Sequence, residues 1–226
     1  MSSMNLKHIA VLNLLLMFHI CAFAQLKHNG HAYVDLGLSV KWATCNIGAS
    51  SPEGRGNYYA WGETKPKSRY DWTTYKWCKG RENTLTKYNK QKENGVVDKK
   101  SRLALSDDAA HVNWGGKWRI PTDEEVYELS EKCTWTLVKQ KGVYGYKIKS
   151  KINGKSIFLP AVGFKNESRL EDFGMMCVYW TSTLDQYDSH VALPLYSYVM
   201  ELSDDGIEYD YWSRRCHGHT VRPVCP

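Results

Sequence analysis

Hydrophobic and polar positions fall into three regimes along the chain. Residues 9–20 are almost wholly apolar, interrupted only by Asn13 and His19. Residues 63–100 are polar and basic, with scattered Trp and Tyr and little period. Much of the remainder alternates with the period of two that half-buried strands require. That alternation predicts strands over 33–36 and 40–45, joined near Gly37, and a brief one over 118–120. Segments 135–138, 144–149 and 156–159 read as a meander punctuated by Gly142 and Asn153-Gly154. Residues 177–180 form a buried-looking run. Segments 196–202 and 207–212 flank Ser203-Asp204-Asp205-Gly206, a hairpin signal. Segment 220–224 is the last strand, and Pro223 suits an edge position.

Two helices interrupt this pattern. Residues 106–111 suit a short one, with Ser106 as its cap. The phrase Pro121-Thr122-Asp123-Glu124-Glu125 is a capping box: Thr122 caps and Glu125 reaches back. Val126 and Leu129 then fall on one buried face of a helix that runs to about Lys132. The aromatic residues of 63–100 need somewhere to pack, so that stretch reads as a long ordered loop.

The apolar run near the start has a further meaning. Lys7 and His8 precede it, and Ala22-Phe23-Ala24 before Gln25 is an A-x-A cleavage pattern. It is shorter than the ~20 residues a bilayer span needs. A secretory signal peptide over 1–24 is expected, with a single mature domain over 25–226. This places the protein outside the cytoplasm: in the periplasm, at the cell surface or secreted. Phe18 and Ile20 occupy positions where a lipoprotein signal carries Leu and a small residue, which argues against lipidation at Cys21.

Composition sharpens the picture. Nine Trp and fifteen Tyr point to β-rich or loop-rich packing, or to an aromatic binding surface. Beyond the signal stand Cys45, Cys78, Cys133, Cys177, Cys216 and Cys225, an even number that permits disulfides or buried free thiols. Charge is uneven. Residues 65–102 hold twelve Lys or Arg against four Asp or Glu, while 170–212 hold nine Asp or Glu and no Lys or Arg. Docking of the basic loop on the acidic sheet is one reading and ordinary solvated surface the other. No basic reading helix is arranged for nucleic acid, which is not expected as a partner.

Several phrases occur together in order: residues 54–63 (GRGNYYAWGE), 114–122 (WGGKWRIPT), 179–183 (YWTST) and 221–224 (VRPV). With 34–38 and 156–163, they resemble the Fibrobacter succinogenes major paralogous domain over nearly the whole mature chain. That family is similar in turn to the C-type lectin-like fold, which includes the formylglycine-generating enzymes. The resemblance implies an α+β fold of two short helices plus twisted antiparallel β-sheets, with the N- and C-terminal strands paired. It also implies a Cys133–Cys225 bridge and a surface-exposed recognition protein.

Candidate binding residues follow from the aromatic, charged late segment: Asp185, Tyr187, Asp188, Tyr209, Tyr211, Trp212, Arg214 and Arg215. Rings supply stacking area and charges supply directional hydrogen bonds, a mixture suited to an extracellular glycan or protein ligand. Tyr209 and Tyr211 share one strand face, either core or display. Asp204, Asp205, Glu208 and Asp210 are hard oxygen donors for calcium, but their spacing matches no EF-hand, and a plain hairpin turn is the competing reading. No cofactor is otherwise expected. Cys216, His217 and His219 lack the spacing of a metal site, and no complete catalytic constellation is present. An exported binding module is the leading expectation. A formylglycine-generating-type oxidoreductase and a structural or adhesin subunit are the alternatives.

Overall fold

The computed structural model describes residues 25–198 and 213–226. The expected signal peptide lies outside them. So do Tyr209, Tyr211 and Trp212, the calcium candidates Asp204, Asp205, Glu208 and Asp210, and most of the hairpin over 196–212.

Among the described residues the chain builds four small antiparallel sheets. The first orders β1 (Lys27–His28), β2 (His31–Val34) and β3 (Lys41–Ala43) beside β12 (Val224–Cys225). The second is the meander β4 (Cys133–Gln140), β5 (Val143–Ser150) and β6 (Ser156–Pro160). Its first turn is tight because Lys141 and Gly142 both take positive φ, the geometry a two-residue hairpin needs. A third sheet pairs β7 (Phe164–Asn166) with β8 (Arg169–Glu171). The fourth orders β11 (Ser213–Arg214), β10 (Val191–Tyr198) and β9 (Met176–Leu184). Register slips between Ala192 and Pro194 in β10, where proline has no N–H to give the ladder.

Two α-helices accompany these sheets: α1 (Ala109–Trp114) and α2 (Asp123–Lys132). The capping box of α2 forms as its sequence predicts: Thr122 Oγ1 accepts from Glu125 N at 3.3 Å, and Glu125 Oε2 accepts from Thr122 N at 2.9 Å. Arg119 grips the same carboxylate, with Nη1 2.7 Å from Oε2. Ser106, by contrast, is not a cap. Residues Leu105–Asp107 form a 3-10 turn, and Asp108 caps α1 by accepting from Ala110 N at 2.8 Å and His111 N at 3.0 Å. Asp108 wins because its carboxylate also receives Ile120 N at 2.8 Å, a contact distant in sequence.

This is not the α+β lectin-type architecture expected from the resemblance. One helix has ten residues and the other six, and they form no layer against a continuous sheet. Capping signals and alternation are local. They locate elements but do not decide how strands divide among sheets. The two ends of the domain nevertheless meet: Val224 pairs with Trp42 and Cys225 with Lys41, and Arg119 exchanges both backbone hydrogen bonds with Val224 on the other side.

The expected Cys133–Cys225 bridge is absent, and all six described cysteines are free thiols. Cys133 packs with Leu129, Ile148 and Trp42, whereas Cys225 packs with Ala43 and Trp118 in a different cluster.

The loop over 63–100 is ordered by its aromatics. Tyr70, Tyr75, Leu85 and Tyr88 are buried. Tyr70 OH donates to Tyr58 O at 2.6 Å and Tyr75 OH to Trp61 O at 2.8 Å, so each ring is both packed and satisfied. Trp180 Nε1 donates to Tyr59 O at 2.7 Å and Trp61 Nε1 to Thr181 O at 2.9 Å, locking the 58–62 segment onto β9. Just past the loop, Leu103 N donates to Ser182 O and Leu184 N to Ser101 O, and among the described residues no ion pair joins 65–102 to the acidic segment. No helix of the described residues is long and apolar enough to cross a membrane.

Replacing Thr122 with Ala should lower stability by about 1 kcal/mol, the usual worth of an N-cap hydroxyl. Urea denaturation should show an earlier midpoint at unchanged slope. An unmoved midpoint would mean that Arg119 and Glu125 hold the helix start without the hydroxyl.

Candidate functional site

The turn between β9 and β10 gathers part of the aromatic and charged set. Asp185 Oδ1 accepts from Tyr187 N and Asp188 N, both at 2.7 Å, which is the self-bonding turn chemistry of aspartate. Asp188 Oδ1 repeats the device one step later, accepting from His190 N at 2.8 Å and facing His190 Nδ1 at 2.9 Å. Asp185 N donates to Val191 O and closes the turn. The long loop clamps it from outside: Gln91 Nε2 donates to Tyr187 O at 2.7 Å and Lys90 N to Ser189 Oγ at 3.1 Å.

Tyr187 stands at the tip of this braced turn with 78% of its surface exposed, the most exposed large apolar side chain among the described residues. Asp188 is half-exposed beside it. Arg214 is exposed on β11 and pairs with Val191, the residue that closes the turn. Trp72 meets the His190 ring edge-on at 5.9 Å. Trp72 Nε1 and His190 Nε2 are both closed from solvent and have no hydrogen-bond partner.

Arg215 does not belong to this surface. Ser213, Arg214 and Arg215 alternate buried, exposed, buried, as successive strand residues do. Arg215 is fully buried, with Nε on Tyr75 OH at 2.9 Å and Nη1 on Tyr88 O at 2.9 Å and Ser189 O at 2.8 Å. It braces the turn from beneath instead of displaying charge. Trp72, Gln91 and His190 are site residues that sequence reasoning missed. The aromatics of the long loop were the only pointer to them, and nothing in the sequence says which turn that loop meets.

No protein-family model, curated protein or solved structure matches this chain.

The residues considered for metal or catalysis separate in space. Cys216 packs with Tyr58, Tyr70 and Tyr75, and burial pushes its thiol up to about 12. Cys225 lies in another cluster, so these two thiols do not form a pair. His217 and His219 both reach Ser213: its Oγ lies 2.7 Å from His219 Nε2 and 3.3 Å from His217 Nδ1. A serine nucleophile needs a histidine oriented by a third group on its other nitrogen. Here His219 Nδ1 is buried without a partner, and Ser213 itself is buried. This trio is a packing cluster against Phe164 and Trp180. Among the described residues, no group of three or more His, Cys, Asp or Glu side chains is placed to hold a metal ion.

Two predictions follow from these placements. Arg215→Ala should cost on the order of 3–5 kcal/mol, since it strips four hydrogen-bonded groups of a buried cation. Arg214→Ala should stay within about 0.5 kcal/mol, as exposed substitutions do. Equal denaturation midpoints for the two variants would contradict the assignment. The second prediction concerns pH. Burial, aided by Arg214, pushes the His217 pKa down from 6.5 to about 4. The unfolded chain takes up a proton near pH 6.5 that the folded chain refuses until about pH 4. Stability should therefore fall as pH drops through that window, and His217→Gln should flatten the decline. A melting temperature level from pH 7 to pH 4.5 would show that His217 is solvated.

Proposed function

We propose that this chain is an exported or cell-surface binding module that recognises a glycan or protein ligand through the Tyr187 turn and Arg214. One observation carries the reading: a tyrosine 78% exposed on a turn whose backbone is hydrogen-bonded from both flanks. Exposing so large a ring costs hydrophobic burial. Bracing its backbone removes freedom that binding would otherwise have to remove, which is how preorganised recognition loops gain affinity. Tyrosine adds wide contact area at low side-chain entropy. Asp188 is the next residue and Arg214 lies on the strand paired with Val191, so one charge of each sign lies near the turn, which suits ligands bearing both donors and acceptors.

The first 24 residues support the extracytoplasmic part of this reading, through their basic start, apolar run and A-x-A site. The resemblance of residues 54–63, 114–122, 179–183 and 221–224 to the Fibrobacter succinogenes major paralogous domain is consistent with it, since surface recognition proteins are expected in that family.

Binding is tested on immobilised glycan and extracellular-protein arrays with the mature chain. For any ligand captured, Tyr187→Ala should weaken binding at least tenfold, the loss typical of a central aromatic contact. Arg214→Ala should weaken it less. A ligand bound equally by the wild type and by both variants would place recognition elsewhere.

A further inference from the structure

The β4 strand has one side to spare. It pairs with β5 over its full 8 residues, from Cys133↔Ser150 to Gln140↔Val143. Its other side meets no strand, and among the described residues no backbone hydrogen bond crosses it. Which groups face that side follows from the neighbouring bonds. Lys151 N donates to Lys132 O at 2.9 Å, one step beyond the β4–β5 ladder. Across β5, Ser150 N donates to Lys155 O and Ala161 N to Tyr144 O, both at 2.8 Å. Both observations put the even-numbered residues of β4 in hydrogen-bonded pairs with β5. The N–H and C=O groups of Trp135, Leu137 and Lys139 therefore point away from it.

The side chains tell the same story. Trp135 and Leu137 are only half-buried, whereas Ile148 and Tyr146 opposite them, and Ile157 and Leu159 beyond, are buried in one cluster. The core thins toward this edge. Folded proteins usually blunt an open edge by keeping it short, bulging it, or placing proline or several charges on it. The β4–β5 register has no slip, the strand has no proline, and its single charge is Lys139 near the end. By comparison β1 has 2 residues and β8 has 3, and β9 is met on its outer side by Thr220 and Arg102.

We propose that β4 pairs antiparallel with β4 of a second copy of this chain, about a two-fold axis at Thr136. Two three-stranded meanders then become one continuous sheet. Outward-facing residues must oppose one another across such a contact, which this register achieves. Trp135 lies against the partner's Leu137, so each copy covers the apolar surface that the other leaves half-exposed. Thr136 opposes itself and Thr134 opposes Val138, pairs suited to neighbouring strands. Lys139 falls opposite Cys133, where α2 ends and the helix dipole favours a cation. No like charges face each other along the strand. A two-fold contact requires a surface complementary to itself, and β4 is complementary to its own reverse, which selects a second copy as the occupant. The contact shares no residue with the Tyr187 turn and does not depend on that turn binding anything.

The test is sedimentation of the mature chain over a range of concentrations. One strand pair buries less than the roughly 1,200 Å² of stable interfaces, so dimers should appear at about 10–100 µM. Thr136→Lys brings two new lysines face to face beside Lys147 of each copy, and it should weaken association at least tenfold. Thr136 is exposed, so the variant keeps its fold. Mixing it with an equal amount of Thr136→Glu should give a one-to-one mixed dimer by native mass spectrometry. In the unmodified chain, the Trp135 and Leu137 amides should exchange several-fold more slowly when concentrated than when dilute. The Thr136 and Val138 amides, already bonded to β5, should not change. A chain still monomeric at about 500 µM overturns the proposal. So does a dimer that Thr136→Lys leaves intact, a variant mixture without mixed dimers, or exchange at Trp135 and Leu137 that ignores concentration.

Discussion

Two guanidinium groups buried without a carboxylate hold this structure together. Arg215 and Arg222 are both essentially inaccessible to solvent, and no described acid is ion-paired to either. Oxygen dipoles replace the counter-charge. Arg222 donates from Nε to Asn46 Oδ1 at 2.8 Å and from Nη1 to Ala43 O at 3.2 Å and Thr44 O at 3.0 Å. Arg215 donates to three backbone carbonyls and the Tyr75 hydroxyl, with its Cζ 5.1 Å from the Trp61 ring centre and 5.3 Å from that of Tyr75. Only arginine offers five donors in a rigid fork with a face that tolerates aromatic contact, so lysine could not satisfy either site.

The carbonyls that Arg215 requires come from the long loop and from the β9–β10 turn. Lys87 O and Tyr88 O belong to the first, and Ser189 O to the second. A single cation therefore orders two irregular segments and fixes their spacing. Gln91 and Lys90 of the loop reach the turn only because this spacing is held. The exposed tyrosine and its buried support are one construction, and its stability and its surface geometry come from the same contacts.

What was legible in the sequence was whatever depends on neighbours along the chain. Thr122 and Glu125 stand three apart, so their reciprocal caps could be read directly, as could the Gly142 turn and the alternation of the meander. Asp185, Tyr187 and Asp188 share one turn because that turn bonds to itself, and Arg214 comes near it because β11 returns beside Val191. Arg215 was misplaced because alternation says that neighbours face opposite ways without saying which way is in. Asp108 displaced Ser106 as a cap through a bond to Ile120 that no local pattern contains. The division into four small sheets and the free state of Cys133 and Cys225 depend on long-range packing, and resemblance of short phrases did not supply it.

The position of β12 carries a consequence for how the chain reaches this state. It lies between β3 and the 119 backbone, filling the gap between residues made early and residues made midway. Arg215 and Arg222 are likewise late residues serving partners far upstream. Until residues 213–225 have been synthesised, the early sheet keeps an open edge and the loop carbonyls lack their cation. Folding in order of synthesis is closed to such a topology, and contacts of this sequence separation slow folding in general. The closed early sheet and the ordered loop are therefore properties of the finished chain alone, so loss of the last dozen residues would undo contacts made near residue 40 as well as those near residue 88.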